Sequence, residues 1–197
     1  MAGVDDLEAA GAALRIGRLV VLPTDTVYGV GALPRSRGGV AGIFAAKGRS
    51  QRKAIPVLAA SSEDLADVVV LDDRARALAR SFWPGPLTLV VRRNPAWPYD
   101  LGGSDASTIA VRVPQNSLAL ALLERTGPLA VTSANRSDEP AATTVALARS
   151  ALGDAVAVYL DGGVCDEAPS SVVSLVGEVR MLREGPVSLD AIYKVTE

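Results

Sequence analysis

Histidine is absent from this 197-residue chain. That excludes Ser-His-Asp triads, Cys-His dyads, histidine acid-base catalysis and every zinc site that needs an imidazole. Cysteine is reduced to a single residue, Cys165, so the chain can close no disulfide on itself and build no four-thiolate metal site. A reduced compartment and no protein-bound metal cluster are the expectations. Aromatic residues make up only 4%, which leaves few stacking platforms for single-stranded nucleic acid. Nor is there an excess of positive charge. The 20 basic and 22 acidic side chains give a formal net charge of −2, against the pattern of a general nucleic-acid coat. No apolar run reaches the roughly 18 residues of a membrane span. Asp5 and Asp6 stand where a signal peptide carries its positive region. The expectation is a soluble, cytoplasmic protein with no membrane partner.

What is present is a core. Hydrophobic residues are 49% and charged residues 21%, too apolar and too weakly charged for a disordered chain. The length fits one domain, 1–197. Asp5 or Asp6 can cap a helix through Leu7, Ala10 and Leu14 that stops at Gly17, and a strand follows at 19–22. The hydroxyl-rich segment Pro23-Thr24-Asp25-Thr26-Val27-Tyr28-Gly29 reads as a loop at the edge of a pocket. A helix over 38–46 leads into Lys47-Gly48-Arg49, and 55–58 reads as a strand. Helices are predicted over 62–69 and 72–83, the second ended by Trp83-Pro84-Gly85-Pro86. Strands are predicted at 87–91 and 107–113. Asn116 caps a helix that Gly127 ends, and the strand 128–131 runs into Thr132-Ser133-Ala134-Asn135. A helix over 144–152, strands at 156–160, 171–175 and 179–182, and a helix from Ser188 complete the pattern. Helices and strands interleave irregularly, which fits an α/β fold with a mixed twisted sheet.

No nucleotide loop of the common kinds is present. The third glycine of a G-x-G-x-x-G run starting at Gly29 falls on Pro34, and no G-x-x-x-x-G-K-[ST] run occurs. Arg35-Ser36-Arg37 and Arg92-Arg93 read as solvated charge. Lys47-Gly48-Arg49, with Arg52 and Lys53 nearby, concentrates positive charge beside a glycine that allows close backbone approach. It is either a polyphosphate or carboxylate site or a solvated helix end. Thr132–Asn135 follows an apolar strand, where open sheets place ligand-binding hydroxyls, or is an ordinary polar turn. Alternation sends Arg112 to the face opposite Val111 and Val113, where a guanidinium either meets water or clamps an anion. Arg183 poses the same choice, with a bond to Glu184 as the plainer answer.

In order and spacing, six segments resemble the YrdC-like family across nearly the whole chain. They are Pro23–Gly29, Lys47-Gly48-Arg49, Trp83–Thr88, Arg112-Val113-Pro114, Ser133-Ala134-Asn135 and Leu182-Arg183-Glu184-Gly185. Two departures stand out. The family's K-x-R-P followed by Pro-Leu is here Lys47-Gly48-Arg49-Ser50, with Ile55-Pro56 further on. Its Ser-Thr-Val-Val-Asp pattern is Ser170-Ser171-Val172-Val173-Ser174, with the hydroxyl kept and the acid lost. The resemblance implies a YrdC/RibB-like fold, a three-layer twisted mixed open sheet of about seven strands covered by helices, in the single-domain form.

It also implies an L-threonylcarbamoyladenylate synthase, which joins L-threonine, bicarbonate or CO2 and ATP into threonylcarbamoyl-AMP and pyrophosphate. The product serves N6-threonylcarbamoyladenosine modification of tRNA, so the implied partners are the tRNA-modifying proteins that consume it. The family's signature set is Lys47, Arg49, Ser133 and Asn135, in catalysis and in binding the nucleotide, with Ala141 and Arg183 joining at the nucleotide. Thr26, Thr108, Arg112 and Ser170 match positions around threonine, with Arg112 as the carboxylate clamp. Mg2+ arrives with ATP. The rival reading is a double-stranded RNA or tRNA-binding module of the same fold, holding its ligand by phosphate contacts.

Overall fold

A computed structural model of the chain describes residues 4–196, and its backbone is organised by one ten-stranded sheet. In chain order the elements are α1 (Val4–Arg15), β1 (Leu19–Leu22), β2 (Gly29–Ala32), α2 (Arg37–Lys47), β3 (Val57–Leu58), β4 (Val69–Val70), α3 (Asp73–Phe82) and β5 (Leu87–Arg93). There follow β6 (Thr108–Arg112), α4 (Ser117–Thr126), β7 (Leu129–Ser133), α5 (Val145–Leu152), β8 (Val156–Tyr159), β9 (Ser171–Ser174), β10 (Arg180–Arg183) and α6 (Leu189–Thr196). Across the sheet the order is β10-β9-β5-β6-β3-β7-β2-β1-β8, with β4 paired to the end of β5. The pairs β1/β8, β3/β6 and β5/β9 are parallel and the rest antiparallel.

Side-chain alternation sorts the strands into two cores. Leu19, Val21 and Ala130 face one, and Val20, Leu22, Leu129 and Val131 the other. The first core is closed by Ile43 and Phe44 of α2, Leu78 of α3, Leu152 of α5 and Ile192 of α6. The second is closed by Leu14 of α1 and Leu122 and Leu123 of α4. Each such leucine contributes about 1.5–3 kcal/mol by leaving water. β5, β6 and β9 contribute to the first core through Leu89, Val111 and Val173 but supply no residue to the second. Their second face carries Thr88, Ala110, Arg112 and Val172 instead, and there the sheet lines a cleft.

Several elements differ from their sequence expectations. The sheet has ten strands rather than about seven. Residues 29–32 carry no strand expectation, but a Cβ on Gly29 would lie 2.6 Å from Val131 Cγ1, so glycine is what lets β2 pair with β7. The helix predicted over 62–69 is a 3-10 turn at Glu63–Leu65. Ser61 and Asp64 bond each other's backbone N–H reciprocally, and pairing with β5 draws Val69 and Val70 into β4. Asp5 and Asp6 lie in the first turn of α1 rather than at its cap. Asn116 does cap α4, accepting from the N–H groups of Leu118 and Ala119.

Gly48 ends α2 in the left-handed region, with φ 60. No described atom lies within 4 Å of where its Cβ would be, so within the protein the glycine serves backbone conformation. Gly48→Ala is therefore expected to cost only the left-handed penalty, about 1 kcal/mol, read as a lower urea midpoint with an unchanged m-value.

Candidate active site

A cleft of about 390 Å³ opens on the uncovered part of the sheet. Thr88, Ala110, Arg112 and Leu58 form its floor, the 24–29 and 132–141 segments form walls, and Ser170 and Arg183 close the far side. Its volume suits a drug-sized ligand, for which sites run roughly 300–1,000 Å³. Two other clefts, of about 510 and 530 Å³, open beyond the opposite end of β2 around Pro34 and Arg35. They lack the converging cations and hydroxyls found here.

Arg112, only 5% exposed, anchors the floor. Its Nε donates to the Gly85 carbonyl at 2.9 Å, Nη1 to Thr26 Oγ1 at 3.0 Å and Nη2 to Asp25 Oδ1 at 2.6 Å. Asp25 Oδ1 also accepts from the Gln115 N–H at 2.9 Å, whereas its buried Oδ2 has no partner among the described residues. Burial lowers the Arg112 pKa and Asp25 opposes that shift. Three of the five guanidinium N–H groups are thus engaged, leaving one on each terminal nitrogen. Thr26 is oriented in turn. Thr24 donates its hydroxyl proton to the Val27 carbonyl at 2.6 Å, so in the 3.0 Å Thr24–Thr26 pair the Thr26 hydroxyl donates.

At the other wall, Lys47 is 2% exposed. Its Nζ donates to the Ser133 carbonyl at 2.5 Å, to the Asn135 carbonyl, and to Asn135 Oδ1 at 3.4 Å. Burial, with the like charge of Arg49 adding to it and Glu139 opposing, pushes its pKa down to about 8. Asn135 turns its amide inward, donating to the carbonyls of Arg136 and Glu139 at 2.8 and 2.7 Å. The Ser133 hydroxyl lines the cleft and has no hydrogen bond among the described residues. Arg49 lines it too, steadied by the Lys53 and Ala54 carbonyls at 3.0 and 2.8 Å, and burial lowers its pKa.

On the far side, Arg183 donates from Nε to the Ser170 carbonyl at 2.9 Å and from Nη2 to Ser170 Oγ at 3.0 Å. Ser170 Oγ pairs with Thr88 Oγ1 at 2.8 Å. The plainer reading of Arg183, a bond to Glu184, is not what forms.

Of the residues singled out in the sequence, Thr26, Arg49, Arg112, Ser133, Asn135, Ala141, Ser170 and Arg183 line one cleft. Lys47 lies behind its wall. Thr108 lies outside the lining, four residues along β6 from Arg112, or about 13 Å at roughly 3.3 Å per strand residue. Asp25, Tyr28 and Thr88 belong to the Pro23–Gly29 and Trp83–Thr88 segments, but no role of its own is expected for any of them from the sequence. Tyr28 ties the 24–28 loop to the 161–163 turn, its hydroxyl donating to the Gly163 carbonyl at 2.7 Å. An acid between two threonines, directly after the apolar strand 19–22, is the signal the sequence offers for Asp25. Cys165 is buried with its thiol pKa raised by desolvation, the environment of an inert thiol.

The Sua5/YciO/YrdC family profile, described as "Telomere recombination", matches residues 12–185. The chain belongs to that family. A Mycobacterium leprae relative, provisionally named a threonylcarbamoyl-AMP synthase, is 46% identical over 192 residues, covering 96% of this chain and 87% of the relative. The threonylcarbamoyl-AMP synthase of Pyrococcus abyssi is 36% identical over 194 residues, covering 96% of this chain and 56% of the relative. Among solved structures, P. abyssi Sua5 complexed with L-threonine superposes with a TM-score of 0.90 at 35% identity, again over 96% of this chain and 56% of that one. This Sua5/YciO/YrdC chain thus corresponds to little more than half the length of the archaeal protein and to most of the mycobacterial one.

The Asp25–Arg112 pair yields a stability test. Replacing one partner of a buried pair leaves an uncompensated charge, which costs about 3–5 kcal/mol. Asp25→Asn, which preserves shape, is expected to lower unfolding stability by about that amount in urea titrations. A loss under about 1 kcal/mol, the range of a surface pair, would show that the pair is solvated.

Proposed function

We propose that this cleft joins L-threonine, bicarbonate-derived CO2 and ATP into threonylcarbamoyl-AMP. The observation that carries the reading is Arg112: a buried guanidinium held by three acceptors, with two N–H groups left at the floor of a cleft that also presents Arg49 and Arg183. A guanidinium with an N–H to spare on each terminal nitrogen suits a carboxylate, and Thr26 beside it offers an oriented hydroxyl to an amino acid. Ser170, fixed by Arg183 and Thr88, lines the same side.

The chemistry needs no histidine. The threonine amine adds to CO2 and releases a proton to solvent, giving a carbamate whose oxygen is already anionic. That oxygen attacks the α-phosphorus of ATP, the bond to the β-phosphate oxygen breaks, and pyrophosphate leaves as an anion. ATP brings about four negative charges and the carbamate about two, so placement and charge neutralisation dominate. Arg49 and Arg183 line the cleft for the phosphates, the free Ser133 hydroxyl offers a donor to phosphate or carbamate, and Ala141 leaves room beside them. Asn135 shapes the 133–139 segment. Mg2+ enters as part of the MgATP substrate. Among the described residues, no three Cys, Asp or Glu side chains converge as a metal site.

The product is a mixed anhydride of a carbamic and a phosphoric acid, a reactive species suited to immediate transfer to tRNA adenosine by cytoplasmic partner enzymes. No helix among the described residues is long and apolar enough to cross a membrane.

The test is a turnover assay with product mass. Pyrophosphate is expected only when threonine, bicarbonate and ATP are all present, together with a product of the mass of threonylcarbamoyl-AMP. RNA affinity that falls steeply with salt, with no turnover, would favour the RNA-binding reading instead. Arg112→Lys keeps the charge but loses the planar fork. It is expected to weaken threonine binding ten- to a hundredfold, about 1.5–3 kcal/mol, while ATP affinity changes much less. Separate titrations with threonine and ATP decide this, and equal losses for both would remove Arg112 from the amino-acid end.

A further inference from the structure

We infer that Lys47 is a positioning residue whose ammonium holds the Ser133–Ser137 turn from behind, and that the nucleotide phosphates are met by other groups. The inference rests on the proposed ATP-dependent reaction only in naming what the turn serves.

The argument is a count of donors and acceptors. A lysine ammonium has three N–H groups and no acceptor. Around Lys47 Nζ stand three oxygens of the turn: the Ser133 carbonyl at 2.5 Å, the Asn135 carbonyl, and Asn135 Oδ1 at 3.4 Å. Every N–H is accounted for before a phosphate arrives. At 2% exposure, Lys47 does not line the cleft, whereas Arg49, Ser133 and Arg183 do.

The turn is bound to Lys47 from the other direction as well, since the Ser137 N–H donates to the Lys47 carbonyl at 2.8 Å. The Asn135 amide closes the same segment through the carbonyls of Arg136 and Glu139, and the Ala134 N–H donates to the Tyr28 carbonyl at 2.8 Å. Converging oxygen dipoles call for a cation, and a charge-assisted bond to each is stronger than a neutral one. Removing the ammonium would leave these oxygens buried and unsatisfied, which a buried polar group strongly resists. What the arrangement leaves unused among the described residues is the Ser133 hydroxyl, presented to the cleft from a turn braced by these bonds.

The charged groups that bear on the ammonium are Arg49, which lowers its pKa, and Glu139, which raises it. A phosphate in contact would add a far larger upward pull. Lysine is scarce in this chain, with only Lys47, Lys53 and Lys194, so the Nζ signals of 15N-lysine-labelled protein separate readily.

The test has two arms. In the wild-type protein, Lys47 Nζ is titrated by NMR with and without ATP, threonine being left out so that no turnover occurs. Midpoints that agree within about 0.3 pH units support the inference, and a rise of one unit or more on ATP binding overturns it. In ligand-free Lys47→Met, hydrogen exchange at the Ala134 and Ser137 amides is expected to accelerate more than tenfold over wild type. AMP and ATP affinities should then fall by a common factor, because a displaced turn does not count phosphates. Unchanged exchange, or a loss tenfold greater for ATP than for AMP, overturns it. Should Lys47→Met not fold, the wild-type titration decides alone. Neither arm requires product formation, so a wild-type protein that makes no threonylcarbamoyl-AMP would refute the proposed reaction without touching the exchange result.

Discussion

A guanidinium buried within a sheet must find acceptors, and Arg112 finds them in three separate segments. Gly85 lies in the turn after α3, Thr26 and Asp25 lie in the loop between β1 and β2, and Asp25 reaches on to the Gln115 N–H ahead of α4. One side chain thereby fixes the relative placement of the loops that surround the cleft. The Asp25 carboxylate is what makes burying the charge tolerable, since an isolated ion there would be heavily penalised. Among the described residues Asp25 Oδ2 has no partner, so the pairing with Arg112 runs through one carboxylate oxygen.

The cleft exists because the helices are shared unevenly between the two faces. α2, α3, α5 and α6 pack against one core, while α1 and α4 serve the other and reach only the β1, β3 and β7 side. On the remaining strands an apolar face would have been left in water. Those positions carry Thr88, Ala110 and Arg112, a surface made of small and polar groups. The same alternation that builds the first core therefore delivers a polar floor on its reverse.

Within that cleft, hydroxyls and cations are fixed in advance. Thr24 orients Thr26, Ser170 is held by Thr88 and Arg183, and the Ser133–Ser137 turn is gripped by Lys47. A phosphoryl transfer in which the attacking oxygen is already anionic asks for placement and charge and needs little proton transfer. A chain without histidine is suited to it.

Local order was legible in the sequence wherever a signal acts over a few residues. The Asn116 cap and Gly127 stop of α4, the amphipathic face of α3, and Arg112 opposite Val111 and Val113 follow from near-neighbour periodicity and capping chemistry, and the motif order carried the family resemblance. The exceptions fall where a distant partner overrides local preference. β2 forms around glycines because Val131 needs their space, and Val69 and Val70 pair with β5 instead of continuing a helix. Likewise nothing near Asp25 announces a guanidinium 87 residues away, and nothing near Lys47 announces carbonyls 86 and 88 residues on. A sequence by itself determines which elements can form and which face each side chain takes. Which side chains then meet depends on strand order and on which helices cover which face, and these are settled only when the whole chain competes for the same buried surface.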